Sequence, residues 1–174
     1  MYKRNGPNES LYMFYLDLFK TLNEEGLRYL VVGGVAVNLY GVVRLTMDVD
    51  IAVDPDPDQA HLWPAVLQRL RLQTRVPVGW KDIYDPVVRT RLKREKNLIA
   101  FGLVGLDPET PAVDILFDLP GPFGELYARR RTTDVDGVSL PLIGIDDLMA
   151  MKRAAGRAKD LSDLNHLRRI QHET

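Results

Sequence analysis

The chain has 174 residues, 45% apolar and 27% charged, ordinary globular proportions that exclude disordered and collagen-like classes and allow one domain with a buried core. Lysine and arginine total 23 against 24 aspartate and glutamate, a formal net charge of -1, so no whole-protein field draws it to nucleic acid and any polyanion site must be local. There is no cysteine, which removes disulfide scaffolds, thiolate zinc sites and cysteine nucleophiles together.

The first ten residues, MYKRNGPNES, are polar and lack the apolar centre of a signal peptide, and no apolar run of about 18 residues is present to span a bilayer. A cytoplasmic protein with no membrane segment is expected. Residues 10–25 place Leu11, Phe14, Leu18 and Leu22 at helical spacing behind a Ser10 cap, with Gly26 as the stop. Arg28 to Val32 reads as a strand running into Gly33 and Gly34, and Val35 to Tyr40 has room only for a short helix before Gly41.

Met47 to Val53 is rich in β-branched residues and is halted by Pro55 and Pro57. Residues 58–72 carry Leu62, Val66, Leu67 and Leu70 in helical register, with Pro64 either opening the helix or bending it. Residues 74–86 read as loop with a possible short strand, and Asp85 to Lys96 as a basic helix. Leu98 to Val104 and Ala112 to Phe117 read as strands, Arg131 to Leu140 as a hairpin turning at Asp136-Gly137, and the chain from Ile145 onward as two helices broken at Gly156. The predicted class is mixed α+β: a mixed sheet flanked by helices. A core over residues 1–142 carries a helical tail over 143–174, packed as one compact unit.

Asp48-Val49-Asp50 is the most informative tripeptide. Alternate strand residues share a face, so both carboxylates project together with Cα atoms about 6 to 7 Å apart. Like charges held side by side are tolerated when a cation lies between them, and aspartate oxygens are hard ligands suited to Mg²⁺. Alternating aspartates also keep one face of a strand wet, so the tripeptide needs context. Upstream, Gly33 and Gly34 leave room for a phosphate to approach backbone amides. In an extended run, Arg44, Thr46, Asp48 and Asp50 put a cation, a hydroxyl and two carboxylates on one face.

The run YLVVGGVAVNLYGVVRLTMDVDIAV, residues 29–53, resembles the signature of the DNA polymerase β-like nucleotidyltransferase superfamily: an apolar strand, two small residues, about a dozen more, then Asp-x-Asp. Its Arg-x-Thr-x-Asp-x-Asp form, with the tail pattern from Ile145 to Leu164, is similar to the AbiEii/MenT-type toxin branch. The same Arg-x-Thr-x-Asp-x-Asp form also looks like the aminoglycoside nucleotidyltransferases. The resemblance implies a third carboxylate on a neighbouring strand, for which Asp114 fits and Asp118 is the fallback. It implies that Asp48, Asp50 and Asp114 are catalytic and hold two Mg²⁺ ions, with Mn²⁺ as a substitute. Gly33, Gly34, Arg44, Thr46 and Lys152 would meet the nucleotide, while Asp160 and Asp163 would fix Arg157, Lys159 or the helices of the site.

The implied reaction moves a nucleoside monophosphate from an NTP such as ATP to an acceptor hydroxyl, releasing pyrophosphate. The acceptor is left open between tRNA, protein and a small molecule. A cognate antitoxin and a homo-oligomer are the further partners such a branch suggests, and an inactive nucleotide-binding module of the same fold is the alternative. The basic run of residues 85–96, the Arg129 to Arg131 cluster and Asn38 are weaker candidates, for which a solvated helix face, capping or packing is the better account. His61, His166 and His172 share no zinc-site spacing.

Overall fold

The computed structural model describes residues 7–96 and 100–173. Helix α1 (Pro7–Glu24) leads into β1 (Tyr29–Val32), α2 (Gly33–Leu39) and β2 (Val49–Val53). A 3₁₀ turn (Pro57–Leu62) precedes α3 (Trp63–Leu70), β3 (Leu72–Thr74), α4 (Trp80–Tyr84) and α5 (Pro86–Lys96). Next come β4 (Phe101–Gly105), β5 (Val113–Leu116) and α6 (Phe123–Ala128). The hairpin β6 (Arg131–Val135) and β7 (Val138–Leu142) leads to α7 (Ile145–Ala155) and α8 (Ala158–Glu173).

Among the described residues seven strands form one sheet in the order β3-β4-β5-β2-β1-β7-β6. Pairing is antiparallel except for β1 with β7 and β2 with β5. The predicted mixed α/β architecture is therefore what the chain adopts. All four residues of β1 are buried, as expected of a central strand covered on both faces. On the face that Tyr29, Ile51 and Val53 share, α1 seats Leu18, Phe19 and Leu22 in the core, with the Phe19 ring stacked 6.1 Å from Tyr29.

Some local expectations are corrected and others hold. The first helix begins at Pro7, so Ser10 lies inside it and caps nothing. Pro64 stands in the opening turn of α3, where a missing N–H costs no hydrogen bond. The stretch read as loop contains α4, whose Trp80 stacks on Trp63 at 4.4 Å and whose buried Tyr84 accepts the Trp63 indole N–H. Tertiary packing makes a helix there that five residues would not sustain alone. Helix α6 is likewise additional to the elements read from sequence. Leu98 and Ile99, assigned to the fourth strand, lie outside the described residues. The hairpin turns at Asp136 (φ 50) and Gly137 (φ 80), the paired positive φ of a type I′ connection. The two tail helices meet at Gly156, which ends α7 in the left-handed region.

Candidate active site

The site forms where β1 ends. Gly33 has φ +63, and a Cβ there would lie 1.9 Å from Asp50 Oδ2, so the Asp50 carboxylate fills the space that a side chain would need. Gly34 is crowded from the other side: its Cβ would meet Thr46 Oγ1 at 2.5 Å and Arg44 Nη2 at 3.5 Å. The glycine pair is thus the point on which Asp50, Thr46 and Arg44 converge.

Arg44 and Thr46 reach it from an extended strap, residues 42–48, and not from the strand predicted to begin at Met47. Strand β2 starts at Val49. The strap lies across α2, with Asn38 Nδ2 donating to the Arg44 carbonyl at 3.1 Å. Alternation survives without a sheet: Val43, Leu45 and Met47 are exposed while Arg44 and Thr46 are half-buried. Asp48 is exposed at the end of the strap.

Asp50 and Asp114 are register partners on the parallel strands β2 and β5, neighbours about 4.8 Å apart in the pairing direction. Burial raises the Asp50 pKa above the ordinary carboxylate value, and Asp114 and Asp48 push it the same way, against the Gly34 amide and Lys152. Asp114 is also raised, first by burial, with Asp48 adding and Arg75 opposing. Each of the three aspartates is therefore within electrostatic reach of at least one other. As the side chains lie, no group of three or more His, Cys, Asp or Glu among the described residues is close enough to hold a metal ion. The donor chemistry nevertheless suits Mg²⁺, which takes one or two carboxylates and completes its shell with water and substrate phosphates.

Lys152 is placed differently from the expectation that it reaches outward to phosphate. It is buried, with Nζ 3.1 Å from Asp160 Oδ1 and 2.9 Å from Asp163 Oδ2. Asp163 Oδ2 also accepts Arg44 Nη1 at 2.5 Å, and Arg157 Nε closes on Asp160 at 2.6 Å. Burial alone would raise the Asp160 carboxyl, but hydrogen bonds and charge from Arg157 and Lys152 hold it below the ordinary value. The tail helices, the strap and the glycine turn are joined by this network.

The other candidates lie apart from it. Asp118 pairs with Lys93, and Arg89 donates to the Ile83 and Tyr84 carbonyls while stacking 4.6 Å from the Phe117 ring centroid. Arg129 pairs with Asp147 through two hydrogen bonds of 2.6 and 2.8 Å. Sequence reasoning missed Arg75, whose Cζ and Nε would stand 3.4 Å from a Cβ on Gly102, as would Asp114 Oδ1. Its only signal was a cation directly after a short strand.

No protein-family model matches the chain, and no curated protein matches its sequence. Solved structures do match. The chain aligns with the lincosamide antibiotic adenylyltransferase LnuA, solved with lincomycin, at TM-score 0.57 and 18% identity over 93% of this chain and 97% of LnuA. This is a nucleotidyltransferase fold. A match of the same order is ANT(2")-Ia in complex with adenylyl-2"-tobramycin, at TM-score 0.55 and 12% identity over 91% of this chain and 87% of that one. TM1012 from Thermotoga maritima, a nucleotidyltransferase by assignment, matches at TM-score 0.57 and 14% identity over the full length of both chains. In none of the helices is there a stretch long and apolar enough to cross a membrane, among the described residues.

Proposed function

We propose that the chain is a metal-dependent nucleotidyltransferase that moves a nucleoside monophosphate from an NTP to an acceptor hydroxyl and releases pyrophosphate. The observation that carries this reading is the juxtaposition of Asp50 and Asp114 on adjacent strands beside the Gly33-Gly34 turn. Asp48, Asp50 and Asp114 would hold one or two Mg²⁺ ions, or Mn²⁺, whose positive charge would offset the negative charge developing on the transferring phosphoryl group.

The chain's own residues have separable tasks in this reading. Arg44 is held at Nη1 by Asp163 while Nη2 faces the glycine turn, so its charge is set where a triphosphate would lie. The Gly33-Gly34 backbone and the Thr46 hydroxyl border the same space. Lys152, neutralised by two carboxylates, fixes Asp163 and through it Arg44, and its field reaches Asp50. Asp114, which completes the carboxylate set on the acceptor side, would take the acceptor's proton. The acceptor oxygen bonds to the α-phosphorus as the bond to the β-phosphate oxygen breaks, and the electron pair leaves on pyrophosphate.

Two acceptor classes are supported by different observations. The tail pattern that carries Lys152, Asp160 and Asp163 favours a toxin-type enzyme of the AbiEii/MenT kind acting on tRNA or protein, with an antitoxin as partner. The likeness to LnuA and ANT(2")-Ia favours a small hydroxyl compound. Incubation with each NTP labelled at the α-phosphate, Mg²⁺, and tRNA, protein extract, lincomycin or tobramycin tests the reading. Label transfer that Asp48→Asn abolishes is the expected result. No transfer to any acceptor, together with no thermal shift on adding NTP and Mg²⁺, overturns it.

A further inference from the structure

The sheet register lays out a row of positions that extends past the carboxylates. Val32 pairs with Asp50, Asp50 with Asp114, and Asp114 with Gly102. The row ends at Arg75, whose backbone N–H donates to the Gly102 carbonyl at 2.9 Å. Paired positions share a face of the sheet, so Arg75 stands on the face of Asp50 and Asp114, two strand spacings or about 10 Å beyond Asp114 in backbone terms. Gly102 between them carries no side chain. The guanidinium and the Asp114 carboxylate therefore close over the same empty position, each 3.4 Å from where a Cβ would be.

Arg75 is exposed, and among the described residues its guanidinium has no ion pair or side-chain hydrogen bond. This sets it apart from the other cations of the site. Arg44, Lys152 and Arg157 are all bound by Asp160 or Asp163. A guanidinium left with free donors, facing the working side of a site, is matched to a planar or tetrahedral oxyanion.

In-line displacement at phosphorus places the attacking and leaving oxygens on opposite sides. In the proposed reaction the leaving pyrophosphate belongs to the glycine turn and Arg44, at one end of the row. The attacking hydroxyl must then enter from the other end, over β5, β4 and β3, where Arg75 is the charged group beyond Asp114. We infer that Arg75 selects the acceptor, and that the acceptor is a phosphate-bearing hydroxyl compound rather than a polyamine. This rests on the nucleotidyltransferase reading and adds to it the charge of the second substrate.

The test measures transfer from α-labelled NTPs with Mg²⁺ to four probes: glycerol 3-phosphate, a single-stranded RNA oligonucleotide with a free 3′-hydroxyl, glycerol, and tobramycin. Binding of NTP and Mg²⁺ is followed separately by thermal shift. The expected result is label on one of the two phosphate-bearing probes in preference to glycerol and tobramycin; which of the two is labelled distinguishes a small phosphate from a nucleic acid. Arg75→Ala should raise the KM for the labelled probe about tenfold or more, the scale of one charge-assisted hydrogen bond. kcat should fall much less, Arg75→Lys should restore part of the loss, and Arg75→Glu should shift preference toward tobramycin. Preferential labelling of tobramycin or glycerol, an acceptor KM unmoved by Arg75→Ala, or a clear thermal shift without label on either phosphate-bearing probe overturns the inference. Absence of both shift and label would instead remove the nucleotidyltransferase reading beneath it.

Discussion

The Asp50 carboxylate occupies the space directly over Gly33, 1.9 Å from where a Cβ on that glycine would sit. Gly33→Ala therefore meets two obstacles: a left-handed backbone that costs a side-chain-bearing residue about 1 to 2 kcal/mol, and a collision that drives Asp50 aside. We expect a lower Tm, and transfer reduced about 100-fold, the usual consequence of displacing a reacting group by an ångström. Thermal denaturation and label transfer on the purified variant check both.

Asp50→Asn separates stability from activity. Burial and the neighbouring aspartates oppose ionisation at this position, so an amide of the same shape relieves the folded state while leaving an oxygen facing the Gly34 amide. The variant is expected to melt higher than the parent in EDTA and to lose nucleotidyl transfer. A stabilising effect of Mg²⁺ and NTP on the parent should be absent from the variant, which paired melting curves would read out.

Removing the cation from the tail network should be costly. Lys152→Met leaves Asp160 with Arg157 and Asp163 with Arg44 but removes the ammonium the two carboxylates share, a loss of about 3 kcal/mol for two charge-assisted hydrogen bonds, or a fall in Tm of about 10 °C for a chain of this size. Adding Asp163→Asn to the variant should cost less than the sum of the two single changes, because both remove the same Lys152–Asp163 pair. A double-mutant cycle on thermal stability measures the coupling.

The carboxylates impose opposite pH slopes. Asp50 and Asp114 have folded pKa values above 3.8, so the folded state binds their protons more tightly and their contribution to stability declines as pH rises from 3.8 through the raised values. Asp160 is lowered from 3.8; its contribution is present above 3.8 and is lost as pH falls through the lowered value. Unfolding free energies measured in EDTA between about pH 3 and 7 should show the upper decline flattened by Asp114→Asn and the acid-side loss removed by Asp160→Asn.

What the sequence made legible follows the range of the forces involved. The β1 strand, the glycine pair and the short helix after it are set by residues adjacent in the chain, and so is the Asp136-Gly137 turn, where local geometry demands positive φ. Asp114 was legible through the resemblance, which asks for a third carboxylate on a neighbouring strand, and the register places it beside Asp50. Met47 and Asp48 were misread as strand because the alternation of the strap is real while it rests on α2 through Asn38 and not on a neighbouring strand. Burial of Lys152 depends on carboxylates 8 and 11 residues later across the Gly156 bend, and the place of Arg75 on a glycine 27 residues away in another strand. No window along the chain holds those pairs together.

Asp163 Oδ2 receives both Lys152 from α7 and Arg44 from the strap. A single oxygen atom thus ties the tail helices to the polyphosphate side of the proposed site. The tail behaves as a tensioned fastening whose slackening would be felt at residue 44. Any event that prises α8 from α7, whether a ligand, a partner chain or a substitution far from the glycine turn, would reorient the Arg44 guanidinium before it touched an aspartate of the sheet.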